Sequence, residues 1–254
     1  KFLSTCSQEY LGVRRGKTYP ESENILAFIE GTEKPHEIIV LSAHYDHVGK
    51  NKAGEIFNGA DDDGSGTVAL MEIAEAFQLA KKAGKAPKRS VLFLHVTAEE
   101  IGLVGSKYYV ENPVFPLANT VANLNIDMIG RSDPENKGKN YVYVIGSDKL
   151  STSLKKINEA SNAATVNLEL NYKYDDPNDP EMLYYRSDHY NFAKNNVPAA
   201  FYFDGIHEDY HRPTDTPDKI DYELLKKRTQ LVFATAWELA NREERIVVDV
   251  KSSQ

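Results

Sequence analysis

The sequence is short of cysteine, of positive charge and of long apolar runs. Its single cysteine, Cys6, excludes a disulfide within the chain, and nothing in the segment LSTCSQE activates the thiol, so we expect a passive side chain. No apolar run approaches the roughly 18 residues of a membrane-spanning helix. No signal peptide is visible, and the start at Lys1 instead of Met is interpreted as a processed or trimmed chain.

The charge balance is acidic, with 30 Lys and Arg against 38 Asp and Glu and a formal net charge of -8. Nucleic acids and anionic lipid surfaces attract clustered cations, so neither is expected as a partner. Hydrophobic residues make up 41% of the chain and charged residues 27%, which is typical of a folded protein with a substantial core. The length of 254 residues suits one α/β domain.

Short apolar runs alternate along the chain with longer amphipathic segments. The predicted strands are residues 38–42 and the segments SVLFLHVTA, VANLNIDMIG, YVYVIG and AAFYFDG. Helices are predicted in GSGTVALMEIAEAFQLAKKAG, GLVGSKYYVENP, KLSTSLKKINEAS and DYELLKKRTQLVFATAWELANRE; the last of these aligns Leu225, Val232, Ala236 and Leu239 on one side. Strands that alternate with helices indicate an α/β sandwich around a largely parallel sheet.

Titratable side chains follow the ends of predicted strands or precede the long helix. They are His44, Asp46, Asp62, Glu99, Glu100, Asp127 and His211. Ligand sites of open α/β sheets lie beyond the carboxyl ends of the strands, so we expect these side chains to converge. A set of imidazoles and carboxylates without thiolates suits Zn²⁺ and related divalent ions.

The run from Asp61 to Asp63 places three carboxylates side by side and therefore needs a positive charge to face. Two divalent ions about 3.5–4 Å apart that share Asp62 would provide it. The ligand carboxylates of Asp62, Glu100 and Asp127 against two such ions leave one positive charge, which a bound hydroxide would neutralise.

Two further carboxylates can support such a centre without binding metal. Adjacent side chains in extended backbone point in opposite directions, so Glu100 can bind metal while Glu99 faces the water that the metal activates. Asp46, two residues after His44, can accept the remaining ring N–H of this histidine and fix its tautomer.

Six motifs, in this order, carry a resemblance to a known family. They are HYDHVG, NGADDDGSG, TAEEIGLVGS, NIDMIG, RSDHYNF and YHRPTDT, spread from about residue 24 to residue 238. In this order and spacing they resemble the M28 zinc aminopeptidases, which are co-catalytic metallopeptidases. The resemblance implies one M28-type catalytic domain over residues 1–254. It also implies a three-layer α/β sandwich whose central, mixed, mostly parallel sheet has about eight strands between helices.

The resemblance also assigns roles to individual residues and implies two zinc ions per chain. One ion would be held by Asp62, Glu100 and His211, and the other by Asp62, Asp127 and His44. Glu99 would be the general base, Asp46 the partner of His44, and Tyr210 a donor to the oxyanion. The peptide bond between Asp62 and Asp63 would be cis.

The segment RSDHYNF has two interpretations. The resemblance places it at the edge of the active cleft, with Arg186 and Asp188 near the substrate. Alternatively, Ser187 simply caps a helix, since serine is a favoured N-cap. Among the histidines outside the ligand set, His95 is expected in the core, and His36, His47 and His207 are expected in exposed loops.

The function that these observations predict is hydrolysis of the N-terminal peptide bond of peptides by a water that two metals activate, with Glu99 as general base. The expected partners are peptides with a free N-terminus, and we expect a monomer. Family habit and the missing Met favour a secreted or periplasmic location.

Three alternatives stay open. A carboxypeptidase or dipeptidase would need a cationic pocket for the substrate carboxylate, for which Arg186, Arg131 and Arg212 are candidates. A glutaminyl cyclase would use the same fold, typically with one zinc. A non-catalytic, receptor-like domain on this scaffold would have lost ligands, whereas none is missing here.

Overall fold

The computed structural model describes the backbone of residues 2–5, 13–14 and 17–18 and the whole of residues 21–250; Cys6 lies outside the described residues. The strands are β1 Phe2–Thr5, β2 Val13–Arg14, β3 Lys17–Thr18, β4 Asn24–Ile29, β5 Lys34–His44, β6 Arg89–Val96, β7 Thr120–Ile126, β8 Tyr141–Ile145, β9 Glu169–Asn171 and β10 Ala199–Phe203. The helices are α1 Gly66–Lys82, α2 Val104–Glu111, α3 Thr152–Ala164, α4 His189–Ala193 and α5 Tyr222–Asn241. A π-helical turn, Ala60–Ser65, precedes α1.

Eight strands form one mixed sheet, in the order β1-β4-β6-β5-β7-β10-β8-β9. The four central strands β6, β5, β7 and β10 run parallel, and β4 and β8 flank them in the antiparallel direction. This arrangement confirms the predicted fold class. Because the central strands share one direction, their carboxyl ends meet at a single edge of the sheet.

Both faces of the sheet are covered, as the near-continuous apolar runs of its central strands require. Ile39 and Leu41 face a large core that also contains Phe77 of α1 and Leu231 of α5. The intervening residues face the other side, where a smaller core contains apolar side chains of β4, β6, α2 and α4. The four residues predicted to align on the last helix all lie in the larger core, so the predicted face is confirmed. Ala122, Leu124 and Ile126 of β7 lie in the same core.

A fully buried arginine ties α5 to the sheet edge that carries the polar motifs. The Arg228 guanidinium donates hydrogen bonds to the carbonyl oxygens of Ile129 (2.8 Å), Arg131 (2.7 Å) and Tyr141 (2.8 Å). It also lies 3.3 Å from the equally buried carboxylate of Asp204, just after β10. One side chain therefore holds together the segments that follow β7 and β10.

We expect Arg228→Met to destabilise the fold by about 3–5 kcal/mol, because it leaves a buried carboxylate and three carbonyls without their donor. Chemical denaturation measured by circular dichroism gives the free energy of unfolding. Lys226→Met on the exposed side of the same helix is the matched control and should change this free energy by less than about 0.5 kcal/mol. Equal effects of the two substitutions would contradict the assignment.

Candidate metal centre

The predicted ligands converge at the carboxyl edge of the central strands. His44 is the last residue of β5, and Asp127 directly follows β7. Glu100 lies in the turn between β6 and α2, and Asp62 lies in the π-helical turn before α1. His211 approaches from the loop between β10 and α5 and has a positive φ of 54°.

Asp62 lies at the middle of the group and presents one carboxylate oxygen to each half. His44 Nε2 lies 3.2 Å from Asp62 Oδ1 and 3.5 Å from Asp127 Oδ1. On the other side, His211 Nε2 lies 3.0 Å from Asp62 Oδ2 and 3.1 Å from Glu100 Oε2. These separations match the spacing of donors around an ion whose bonds are about 2.0–2.2 Å long.

The hydrogen bonding of these groups fits a metal better than it fits a set of ion pairs. Asp62 Oδ2 and Glu100 Oε1 are buried and have no hydrogen-bond partner among the residues that the structure describes, although imidazole nitrogens lie close to both. Ligands of one cation point at the cation and not at each other, so short contacts without hydrogen-bond angles are expected of them. We conclude that the donor set suits divalent metal ions.

Asp46 supports the centre mainly through the backbone. The His44 Nδ1–H donates to the Asp46 carbonyl oxygen at 3.0 Å, and the nearest Asp46 carboxylate oxygen lies 3.6 Å away. A carbonyl can only accept, so the proton is on Nδ1 and Nε2 offers its lone pair to the centre. The Asp46 carboxylate instead accepts the backbone N–H groups of Glu99 (3.1 Å) and Glu100 (3.3 Å), which fixes the turn that carries both glutamates.

The carboxylates on either side of Asp62 have structural partners of their own. Asp63 accepts the backbone N–H groups of His44 (3.2 Å), Gly66 (3.0 Å) and Met128 (3.0 Å). Asp63 also lies close to His44 and Asp127, but both of its oxygens are taken by these donors, so we do not count it as a ligand. The expected cis peptide bond between Asp62 and Asp63 is confirmed.

Asp61 is equally engaged on the far side of the loop. Its Oδ1 accepts the Gly130 N–H at 2.6 Å, and its Oδ2 lies 3.1 Å from His207 Nε2. Asp215 in turn accepts the backbone N–H groups of Asp61 and Asp62. The acidic run is therefore stable because each carboxylate faces different positive or N–H groups.

The local electrostatics separate the roles of the acids. Burial would raise the pKa of Asp62, but His211 and His44 outweigh it and hold that pKa well below its usual range. Burial raises the pKa of Glu99 well above its ordinary value, and the negative charges of Asp127, Asp188 and Glu100 add to the shift. The two acids thus differ in proton affinity, which is typical of an active site.

A cavity opens next to these groups. Its lining combines polar residues of the centre with apolar side chains: Asp62, Glu99, Asp127, Met128, Leu183, Arg186, Phe201, Phe203, Ile206, Tyr210 and His211. Arg186 and Tyr210 contact each other, with Arg186 Nη2 donating to Tyr210 Oη at 3.4 Å. Burial raises the pKa of Tyr210 well above its usual range, so this residue stays a phenol.

The segment with Ser187 and Asp188 lies behind the centre. Ser187 Oγ donates to Asp127 Oδ2 at 2.6 Å instead of capping α4, which has Asp188 at its N-cap position. Asp188 is 0% exposed and accepts a hydrogen bond from Ser106, and burial raises its pKa to about 7. Within residues 21–250 it does not contribute to the cavity lining, so its predicted contact with substrate finds no support in this placement.

Two of the three histidines expected in exposed loops are in fact buried. His36 is exposed as expected, but it lies within β5 and not in a loop. His207 is 4% exposed and faces Asp61, and the side chain of His47 is 11% exposed with Nδ1 2.8 Å from Glu100 Oε1. The expectation was wrong for these two because buried carboxylates of distant segments draw both rings inward.

His95 lies on β6 as expected and is partly buried. Burial lowers its pKa to about 4, so the ring is neutral.

Comparisons with known proteins agree with the site. A sequence profile of peptidase family M28 matches residues 24–236. A probable leucine aminopeptidase of Trichophyton verrucosum is 32% identical over 223 residues, which cover 85% of this chain and 57% of that protein. A probable glutamate carboxypeptidase of Arthroderma benhamiae is 39% identical over 112 residues, which cover 44% of this chain and 14% of that protein.

A solved structure of BSAP, a zinc aminopeptidase from Bacillus subtilis, superposes with a TM-score of 0.67 at 26% sequence identity, covering 91% of this chain and 54% of that one. The fold is one that this zinc aminopeptidase shares, and the donor set suits divalent metal ions. The chain belongs to peptidase family M28. It spans little more than half the length of the leucine aminopeptidases that it matches.

The different tasks of the neighbouring aspartates can be separated by the same substitution at each position. Asp63→Asn replaces one of two accepting oxygens by a donor that faces a backbone N–H, so we expect the metal-free protein to lose at least about 2 kcal/mol of unfolding free energy. Asp62→Asn should change this free energy less but abolish tight zinc binding, measured by metal analysis after dialysis. A reversed pattern would show that the roles are exchanged.

Proposed function

We propose that this chain is a zinc-dependent aminopeptidase that hydrolyses the N-terminal peptide bond of peptides. The observation that carries the proposal is a full set of metal-binding side chains beside a glutamate, Glu99, that lines the cavity and belongs to neither half of the centre. Family membership and the named aminopeptidase relatives support the same activity.

Two zinc ions per chain are proposed, with Asp62 shared between them. Asp127 and His44 would complete one set of ligands, and Glu100 and His211 the other. When bound, zinc supplies a Lewis acid for the scissile carbonyl and lowers the pKa of water. The arrangement of Asp62, with one oxygen directed at each imidazole, supports the count of two.

Glu99 is proposed as the general base. It lines the cavity, and its turn is held in place by the Asp46 carboxylate. Burial raises its pKa well above the ordinary value, so it takes up a proton more readily than an exposed glutamate does, as a group that must both take and return a proton requires. Glu99 would take a proton from the attacking water and deliver it to the leaving amine.

Tyr210 is proposed as a hydrogen-bond donor to the oxyanion. Its hydroxyl lines the cavity, remains protonated at neutral pH, and is oriented by Arg186. Stacking of its ring on the His211 ring, with centroids 3.9 Å apart, limits its freedom before substrate arrives. A positioned donor of this kind stabilises charge that develops during the reaction.

The cavity lining also favours one class of substrate. Its carboxylates attract a protonated α-amine, and its apolar members Met128, Leu183, Phe201, Phe203 and Ile206 surround the remaining space. We therefore propose that the preferred N-terminal residue has an apolar side chain.

Helix composition and net charge bear on where the protein works and what it binds. Among the described residues, no helix combines the length and apolar character that crossing a bilayer requires. The net charge of -8 disfavours nucleic-acid partners. We propose that the protein is a monomer in a secreted or periplasmic location. We also propose that residues 1–254 form a single catalytic domain.

Glu99→Gln should reduce kcat by about 10²- to 10⁴-fold, because the amide cannot accept the proton from water. Zinc content, measured by metal analysis, should stay at the wild-type value. Glu72→Gln on the exposed face of α1 makes the same chemical change away from the cavity and should leave kcat unaltered. A near-normal kcat in Glu99→Gln would remove this residue from the mechanism.

A second candidate, cleavage at a free C-terminus, is favoured by one observation. Arg186 is an exposed cation on the cavity lining. Its guanidinium lies 3.4 Å from both the Glu181 carboxylate and the Tyr210 hydroxyl, whereas Arg131 is engaged by Asp209 at 3.0 Å. A carboxypeptidase would use such a cation to bind the substrate carboxylate, and a glutamate carboxypeptidase is among the relatives.

A substrate panel separates the two candidates. We expect leucyl substrates with a free amine to be cleaved, N-acetylated leucyl substrates and N-blocked peptides ending in glutamate to be resistant, and all activity to disappear with chelator and return with Zn²⁺. Arg186→Met should affect KM for the leucyl substrate little. Cleavage of the N-blocked, glutamate-terminated peptide that is lost in Arg186→Met would instead establish the carboxypeptidase.

A further inference from the structure

One histidine beside the centre, the second in the motif HYDHVG, has no role in the ligand assignment. His47 follows Asp46 in the loop after β5. In the same loop Tyr45 and Val48 are 39% and 41% exposed, whereas the His47 side chain is 11% exposed. The loop therefore turns this one ring inward, towards the half of the centre that contains Glu100 and His211.

The contacts of the ring are those of a ligand without its metal. His47 Nδ1 lies 2.8 Å from Glu100 Oε1 and 3.9 Å from Asp62 Oδ2, and the three residues offer donor atoms that lie within 4.8 Å of one another. Neither ring nitrogen has a hydrogen-bond partner in the described part of the chain, nor do the two oxygens that it approaches. Four buried polar atoms thus meet without a hydrogen bond between them.

The fold makes room for this ring. Gly59 has a φ of 63°, and a Cβ at that position would lie 2.7 Å from Cγ and 2.9 Å from Cδ2 of His47. On its other side the ring meets His211 edge to face, with centroids 5.7 Å apart. The ring fits at this position because Gly59 has no side chain, and its contact with the His211 ring limits its movement.

Leaving buried polar atoms without partners costs free energy. A hydrogen bond between His47 and Glu100 would reduce this cost, but their geometry does not form one. A cation gives three of these four atoms a partner at once, because both oxygens and Nδ1 of the ring can point at it from a shared side. The second imidazole also gives this half of the centre more nitrogen donors than the half with His44 and Asp127.

We infer that His47 is an additional ligand, through Nδ1, of the metal ion that Asp62, Glu100 and His211 hold. The inference rests on the metal centre of the proposed function but not on the identity of its substrate. One ion then has four protein side chains and the other has three, so the two ions bind with different affinity.

The test uses the full chain, stripped of metal and titrated with Co²⁺, whose visible absorption reports the number and type of its ligands. Relative to wild type, His47→Ala should change the spectrum of one Co²⁺ and weaken its binding at least about tenfold, while the other ion binds as before. Added imidazole should restore the wild-type spectrum. His36→Ala, at an exposed histidine of β5, is the matched control and should match wild type throughout.

Three outcomes would overturn the inference. Spectra of His47→Ala that superimpose on wild type would exclude His47 from the ligand set. Weaker binding with an unchanged spectrum would make it a positioning residue for Glu100. If His47→Ala fails to fold, His47→Phe keeps the ring volume against Gly59 without a donor nitrogen, and an unchanged spectrum in that variant is equally decisive. If the wild-type protein binds two Co²⁺ ions with the expected spectrum but has no aminopeptidase activity, the proposed function is refuted. The assignment of His47 as a ligand is then unaffected.

Discussion

The centre depends on holding several carboxylates close together at one buried sheet edge. Like charges at such distances repel strongly when water is excluded, so each needs its own compensation. The run from Asp61 to Asp63 solves this by directing its side chains to different partners: a histidine and a backbone N–H on one side, three backbone N–H groups on the other, and two imidazoles in the middle. The neighbours of Asp62 make its position possible without competing for the metal.

A buried polar chain in the sheet itself sets the position of Asp127. Ser42 Oγ donates to Asn125 (2.7 Å), Asn125 donates to Ser187 (2.8 Å), and Ser187 donates to Asp127 (2.6 Å). Asn123 joins by donating to Ser42 at 2.9 Å. Each donor in the chain has an acceptor, so the ligand carboxylate keeps one orientation while its other oxygen faces His44. The asparagines of β7, buried on the face opposite Leu124, serve this purpose.

The central strands and long helices could be predicted because burial on both faces leaves a strong local pattern. Residues 38–42 and the segments of β6, β8 and β10 are mostly apolar and bounded by polar loops, β7 alternates apolar residues with asparagine, and the helices repeat their apolar residues at the expected spacing. The strands towards the two ends of the sheet left weaker signals. In β4, buried and exposed positions are irregular and Ile25 is 42% exposed, and β9 has three residues. Their count came from the family resemblance and not from the pattern.

The convergence of the titratable residues at the strand ends could be predicted from the sequence alone. Parallel strands bring their carboxyl ends together, and this does not depend on the conformation of the loops. The sequence did not predict which loop side chains turn inward. His47 and His207 occur in polar segments that look solvated, and their burial follows from carboxylates that lie far away in the sequence. Ser187 and Asp188 likewise acquire their roles from Asp127 and Ser106. A carboxylate attracts an imidazole or hydroxyl through space, so such pairings exist only once the chain has folded.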